Sequence, residues 1–150
     1  MKSKVVYQNS ERTYVVVLEN GDEVVSTLTA FAKAQGLSAS HFTGIGAFRD
    51  VTLGFFDWEM KDYRRIEMNE QVEVLSLLGD IALDDDEPRL HAHVVIGRSD
   101  GTAHGGHLLA GHVRPTLEIV LIESPALLRR TYDGESGLAL INLETSRIER

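Results

Sequence analysis

The sequence contains no cysteine, and no apolar run in it reaches the ~18 residues that a membrane-spanning helix requires. Without cysteine the chain can form neither disulfide bonds nor thiolate metal sites, so histidine, aspartate and glutamate remain as metal ligands. The first residues also lack the long apolar segment of a secretory signal peptide. We therefore expect a cytoplasmic protein with no membrane partner, folded as a single domain over residues 1–150.

Positive charge is scarce as well. The 15 lysine and arginine residues are outnumbered by 23 aspartate and glutamate residues, which gives a net charge of −8. Proteins that bind nucleic acid through their own surface usually have a basic face, because contacts with phosphates supply much of the affinity. The basic doublets here, Arg64-Arg65 and Arg129-Arg130, are isolated. The composition therefore predicts at most weak, strongly salt-dependent binding to duplex DNA.

The periodicity of apolar residues predicts one helix and many strands. Apolar residues recur at helical spacing at Val24, Val25, Leu28, Phe31 and Ala32. They indicate a helix over residues 22–35 that ends at Gly36. Most of the remaining chain is strand-like, with residues 40–57 read as two strands around a turn near Arg49-Asp50, and residues 125–132 read as a short helix. This pattern is typical of an α+β fold, in which one main helix packs on a largely antiparallel sheet.

Five of the six histidines lie between residues 90 and 112, where we expect paired strands over 90–97 and 103–110. Alternate residues of a strand face the same side, so His91 and His93 share a face. A three-residue loop, Ser99-Asp100-Gly101, would place His93 directly opposite His107, with His91 as its diagonal neighbour. Opposed Cβ atoms lie ~5 Å apart and diagonal ones ~7 Å apart. In this register the three imidazoles can converge on one ion.

Two other arrangements of this hairpin remain open. A two-residue turn at Asp100-Gly101 would send His107 to the opposite face. A bulge at Gly105-Gly106 would also change which residues share a face. We interpret the remaining histidines as structural or surface residues, namely His41, His104 and His112.

Three histidines with one open coordination position match binding or catalytic sites for zinc and similar divalent transition metals. The alternative is that the histidines only form hydrogen bonds within a packed sheet. If the site is catalytic, the bound ion would activate water with the help of a nearby carboxylate, and Glu118 and Glu123 are the candidates on the next strand. No nucleophile stands out in the sequence.

Four segments together resemble the PPC domain, the domain conserved between plants and prokaryotes. The matching segments are GIGAF at 44–48, VEVLSLLGDIAL at 72–83, LHAHVVIGRSDGTAHGGHL at 90–108 and LEIVLIE at 117–123. The resemblance implies a compact α+β fold that assembles as a homotrimer. It also implies a metal held by the histidines at positions 91, 93 and 107, and DNA or other proteins as partners.

Two functions therefore remain open at the level of the sequence. The first is a trimeric PPC-like binding or regulatory protein, DNA-binding by its resemblance, with a three-histidine site for a divalent transition metal such as zinc. The second is a metal-dependent enzyme that uses the bound ion to activate water or a small substrate.

Overall fold

The computed structural model describes residues 1–8 and 11–148. This part of the chain contains one helix and eleven strands. The helix, α1, spans Val24–Gln35. The strands are β1 Lys2–Gln8, β2 Arg12–Glu19, β3 Ala39–Asp57, β4 Asp62–Met68, β5 Val72–Asp84, β6 Glu87–Gly97, β7 Ala103–Glu123, β8 Ala126–Leu127, β9 Arg130–Asp133, β10 Leu138–Ile141 and β11 Arg147–Ile148.

The fold is mainly β, so the expectation of an α+β fold with one main helix is wrong. In the described part of the chain, 67% of the residues are in strands, whereas α1 has only 12 residues. The physical reason is that the sheet curls and covers most of its own apolar face. The helix adds only four buried residues to this core, Val24, Leu28, Phe31 and Ala32. The antiparallel pairing itself is as predicted.

Seven strands of the described chain form one antiparallel sheet, in the order β1-β2-β7-β6-β5-β3-β4. Strand β3 also pairs with β7, so that β7, β6, β5 and β3 close into a ring. Closure depends on the length of β3 and β7, which have 19 and 21 residues and each pair with different neighbours along their length. Inward-facing side chains fill the ring, and the side chains of the outer face lie on its surface.

Strand β3 has no turn near Arg49-Asp50, contrary to the prediction of two strands. It continues from Ala39 to Asp57, and its register with β7 shifts between Phe48 and Asp50 and at two other places. Such irregularities bend a strand without ending it. The polar pair therefore lies in a bent strand, and this bend allows β3 to take part in closing the ring.

Helix α1 begins two residues later than the sequence predicted. The side chain of Glu23 caps it by accepting hydrogen bonds from the backbone N–H groups of Val25 at 3.1 Å and Ser26 at 2.7 Å. The helix ends at Gly36, whose φ of 63° is in the left-handed region that glycine adopts readily. Over the described residues, no helix is long and apolar enough to cross a membrane.

The C-terminal segment is the last part of the fold that bears on the site. Residues 125–132 do not form the predicted helix, since β8 and β9 occupy them. Strand β9 pairs with β10 in a hairpin. The N–H of Leu83 donates to the carbonyl of Leu128 at 2.9 Å, which ties this segment to the end of β5. The hairpin consequently lies beside the histidines of β6 and β7.

Candidate metal centre

The loop between β6 and β7 is the three-residue one, Ser99-Asp100-Gly101. The N–H of Arg98 donates to the carbonyl of Thr102 at 2.9 Å and closes the loop. Gly101 takes a φ of 82°, and the Asp100 carboxylate accepts hydrogen bonds from the N–H and the hydroxyl of Thr102 at 2.9 and 2.6 Å. The prediction of this loop is confirmed, and the two-residue alternative is wrong.

This loop sets the register that brings three histidines together. His93 pairs directly with His107, and His91 lies on the same face, two residues before His93. The ring centroids are 5.2 Å apart for His91 and His93, 5.2 Å for His91 and His107, and 5.5 Å for His93 and His107. One ring nitrogen from each residue lies within 4.8 Å of the other two. Three imidazole nitrogens grouped in this way are a donor set that suits zinc.

The other histidines lie apart from this cluster, as predicted. His104 pairs with Ile96 and is exposed. His112 Nδ1 lies 2.6 Å from a carboxylate oxygen of Asp50. His41 is exposed on β3.

An aspartate contacts the first histidine and an arginine contacts that aspartate, although the sequence pattern singled out neither as a site residue. Asp80 of β5 is the cross-strand partner of His91. Its carboxylate lies 3.5 Å from His91 Nδ1, and it accepts a hydrogen bond from the guanidinium of Arg130. Burial raises the pKa of Asp80, but the hydrogen bond with His91 and the charges of Arg130 and His91 outweigh burial, and the pKa lies below its ordinary value. A carboxylate at Nδ1 leaves Nε2 of His91 available as a metal ligand.

A tyrosine stacks on the third histidine. The ring of Tyr63, on β4, lies 4.5 Å from the ring of His107 with an angle of 24° between their planes. Gly54 is the β3 residue paired with His107, and a Cβ atom there would lie 2.7 Å from Cδ1 of Tyr63. The absence of a side chain at Gly54 thus makes room for the tyrosine, which restricts the rotation of His107.

His93 and His107 have lowered pKa values. Burial, followed by the charges of His91 and His93, lowers the pKa of His107 to about 4. Burial and then the charge of His91 lower the pKa of His93. Both imidazoles are therefore mainly uncharged at neutral pH, and the uncharged imidazole is the form that binds a metal. The buried Nδ1 atom of His107 has no hydrogen-bond partner among the described residues, which leaves it free to bind a cation.

A model of the family described as the Plants and Prokaryotes Conserved (PCC) domain, called PPC above, matches residues 5–125. The chain belongs to the PPC domain family. The resemblance seen in the sequence is thereby confirmed.

Three relatives show how far this similarity extends. A "putative DNA-binding protein" from Bacteroides thetaiotaomicron is 32% identical, covers 95% of this chain and 98% of its own, and superposes with a TM-score of 0.87. A protein from Archaeoglobus fulgidus described as metal-containing is 32% identical, covers 94% of this chain and 96% of its own, and has a TM-score of 0.80. The bifunctional protein GlmU of a Synechococcus species is 32% identical over 138 residues, which are 90% of this PPC chain but 21% of that protein. This chain therefore spans about a fifth of that curated relative.

The two glutamates considered as catalytic groups do not contact the histidine cluster in this PPC domain. Glu123 is only 4% exposed, and its carboxylate accepts hydrogen bonds from the N–H groups of Ser38 at 2.9 Å and Ala39 at 3.3 Å. The Ser40 hydroxyl also donates to it. Glu123 thus anchors the start of β3, while Glu118 is exposed and pairs with Ile45. Among the described residues, Asp80 supplies the carboxylate that contacts the histidine cluster.

Proposed function

We propose that this PPC domain holds one divalent transition-metal ion, zinc, between His91, His93 and His107, and that it acts as a homotrimeric binding or regulatory protein. The observation that carries the proposal is the convergence of three imidazole nitrogens within 4.8 Å of one another. Imidazole ligands favour zinc, nickel, copper or iron over calcium and magnesium. A water molecule or a ligand would complete the coordination shell.

The surroundings of the histidines suit the binding of a metal ion. His93 and His107 have lowered pKa values, so little proton release accompanies metal binding to them. The contact between Asp80 and His91 is the carboxylate–histidine arrangement that orients many metal ligands. The Archaeoglobus fulgidus relative, which is described as metal-containing, further supports the proposal.

Metal analysis of two histidine variants tests this proposal. Elemental analysis of purified protein should find one ion per chain in the wild type and in His112→Ala, because His112 lies with Asp50 outside the cluster. His93→Ala should lose the stoichiometric ion, since two imidazoles alone form an incomplete site. Equal metal in both variants would place the site elsewhere.

Assembly as a homotrimer is supported by an apolar surface next to the histidines. Five large apolar side chains on the outside of the ring are each between 41% and 62% exposed, namely Ile45, Leu75, Leu78, Val95 and Val120. We call this set the outer apolar face. Leu78 is the cross-strand neighbour of His93, so the face borders the proposed metal site. Exposed apolar surface of this kind marks sites where another protein binds, and a second and third copy of this chain are the partners that we propose.

Binding is favoured over catalysis by the state of Asp80. Catalysis by a metal-activated water is helped by a nearby group, often a carboxylate, that can take up a proton. The pKa of Asp80 lies below its ordinary value, and both His91 and Arg130 contact its carboxylate. Asp80 therefore orients a ligand rather than serving as a general base.

DNA is a further candidate partner of this chain, because the relative from Bacteroides thetaiotaomicron is described as a DNA-binding protein.

A further inference from the structure

A cleft of about 240 Å³ opens beside the histidine cluster. His91 and His107 line it, and so do Leu138 and Leu140 of the β9–β10 hairpin. Sites for drug-sized ligands have volumes of roughly 300–1,000 Å³, so this cleft suits a smaller molecule. Because two of the three imidazoles lie on its wall, an ion held by the cluster would border the cleft.

The charged groups of the cleft favour an anion. Arg89 and Arg130 line it together with one carboxylate, that of Asp84. The guanidinium of Arg130 is engaged by Asp80 and by the carbonyl of Ala139. Arg89 is more available, since its side chain is 67% exposed and its Nε atom lies 3.6 Å from Asp84. A divalent ion at the histidines would add to this positive charge.

The remaining lining residues distinguish between kinds of anion. Leu90, Leu138 and Leu140 also line the cleft and supply an apolar surface. An apolar wall contributes nothing to the binding of inorganic phosphate, whereas it contacts the hydrocarbon part of an organic anion. Tyr63 also lines the cleft, and it offers a hydroxyl group that can donate a hydrogen bond to a carboxylate.

We infer that the cleft binds a small organic carboxylate, with its carboxylate group between the metal ion and Arg89 and its hydrocarbon part against Leu138 and Leu140. This inference rests on the proposed metal site. In the single chain Arg89 has a long ion pair with Asp84, at 3.6 Å, and a carboxylate within the cleft would give it a charge-assisted hydrogen bond.

Titration of the cobalt-loaded full-length protein with butyrate tests this inference. A carboxylate that enters the coordination shell changes the visible absorption spectrum of bound Co²⁺, and this readout needs no enzymatic activity. Butyrate should give a saturable spectral change, while butyramide, which lacks the charge, should not. Phosphate, which lacks the hydrocarbon part, should bind more weakly than butyrate. Arg89→Ala should weaken butyrate binding about tenfold without altering the metal content.

The matched control is Arg114→Ala, which removes an exposed arginine outside the cleft and should leave butyrate binding unchanged. If butyrate does not bind, or binds equally to the wild type and to Arg89→Ala, the inference that the cleft binds a carboxylate is wrong, while the proposed metal site is unaffected. A wild-type protein that holds no stoichiometric metal at the histidines would overturn the proposed function and this inference together.

Discussion

At the scale of single residues, the contact between Asp80 and His91 makes a specific prediction about metal affinity. Loss of an outer carboxylate that orients a metal-bound histidine typically weakens metal binding by roughly 10–100-fold. We expect Asp80→Asn to lower zinc affinity by about this factor, because an amide orients the imidazole less firmly than a carboxylate does. Competition with a chromophoric chelator measures the change.

The control for this prediction is Asp50→Asn. Asp50 contacts His112 in a similar way, with 2.6 Å between Nδ1 and the carboxylate oxygen, but outside the histidine cluster. This variant should bind zinc as the wild type does. Equal affinities in the two variants would show that Asp80 has no part in the metal site.

The three proposed ligands were predictable from the sequence, but the residues around them were not. The spacing of His91 and His93 and one hairpin loop were enough to place His107. Asp80 depends on the register of β5 and β6, which a second loop determines. Asp85 and Asp86 form that two-residue loop with φ values of 49° and 63°. Had the acidic run been read as a tight turn with left-handed aspartates, the register would have placed Asp80 opposite His91.

At the scale of elements, the loop between β6 and β7 is expected to be sensitive at Gly101. Its φ of 82° is in the left-handed region, and no atom lies within 4 Å of where a Cβ would be. Substitution by alanine therefore adds backbone strain without a clash. We expect Gly101→Ala to lower the free energy of unfolding by about 1–2 kcal/mol, as measured by urea denaturation.

Gly134 provides a matched control for that substitution. A Cβ atom at Gly134 would also have no atom within 4 Å, but the φ of this glycine lies outside the left-handed region. Gly134→Ala should leave the free energy of unfolding unchanged or slightly raise it. A similar decrease in the free energy of unfolding in both variants would mean that the left-handed conformation of Gly101 does not stabilise the hairpin.

Strand continuity is the feature of the elements that sequence patterns describe least well. Asp50 is a typical turn residue, yet Arg49 and Asp50 lie within β3, where the register with β7 shifts between Phe48 and Asp50. The same limit applies to the C-terminal segment, where residues 125–132 were predicted to form a short helix. Its residues instead pair with β10 and β11, and local periodicity does not reveal which segments will pair.

At the scale of the whole molecule, the outer apolar face makes a prediction about assembly. Light scattering should give about three times the chain mass of 16.6 kDa. Ile45→Asp should shift the protein towards the monomer mass. The side chain at this position is 62% exposed in the single chain, and the trimer would bury the charge of the aspartate. Leu143→Asp is the control, since Leu143 is 79% exposed and outside the face. A wild-type monomer at micromolar concentration would contradict the trimer.

The net charge makes a second prediction at this scale. With a net charge of −8, the protein should bind a labelled DNA duplex no more tightly than ~10⁻⁶ M at physiological salt, and the affinity should fall steeply as salt increases. Fluorescence anisotropy at several salt concentrations measures both properties. Tight binding that persists at physiological salt would show that assembly creates a basic surface from scattered residues.

The proposed metal site is tested most directly by X-ray diffraction from a crystal of the zinc-loaded protein at the zinc absorption edge. We expect one anomalous peak per chain between His91, His93 and His107, with three Zn–N distances near ~2.1 Å. A peak at another position, or none at these histidines in protein that contains stoichiometric zinc, would contradict the three-histidine site.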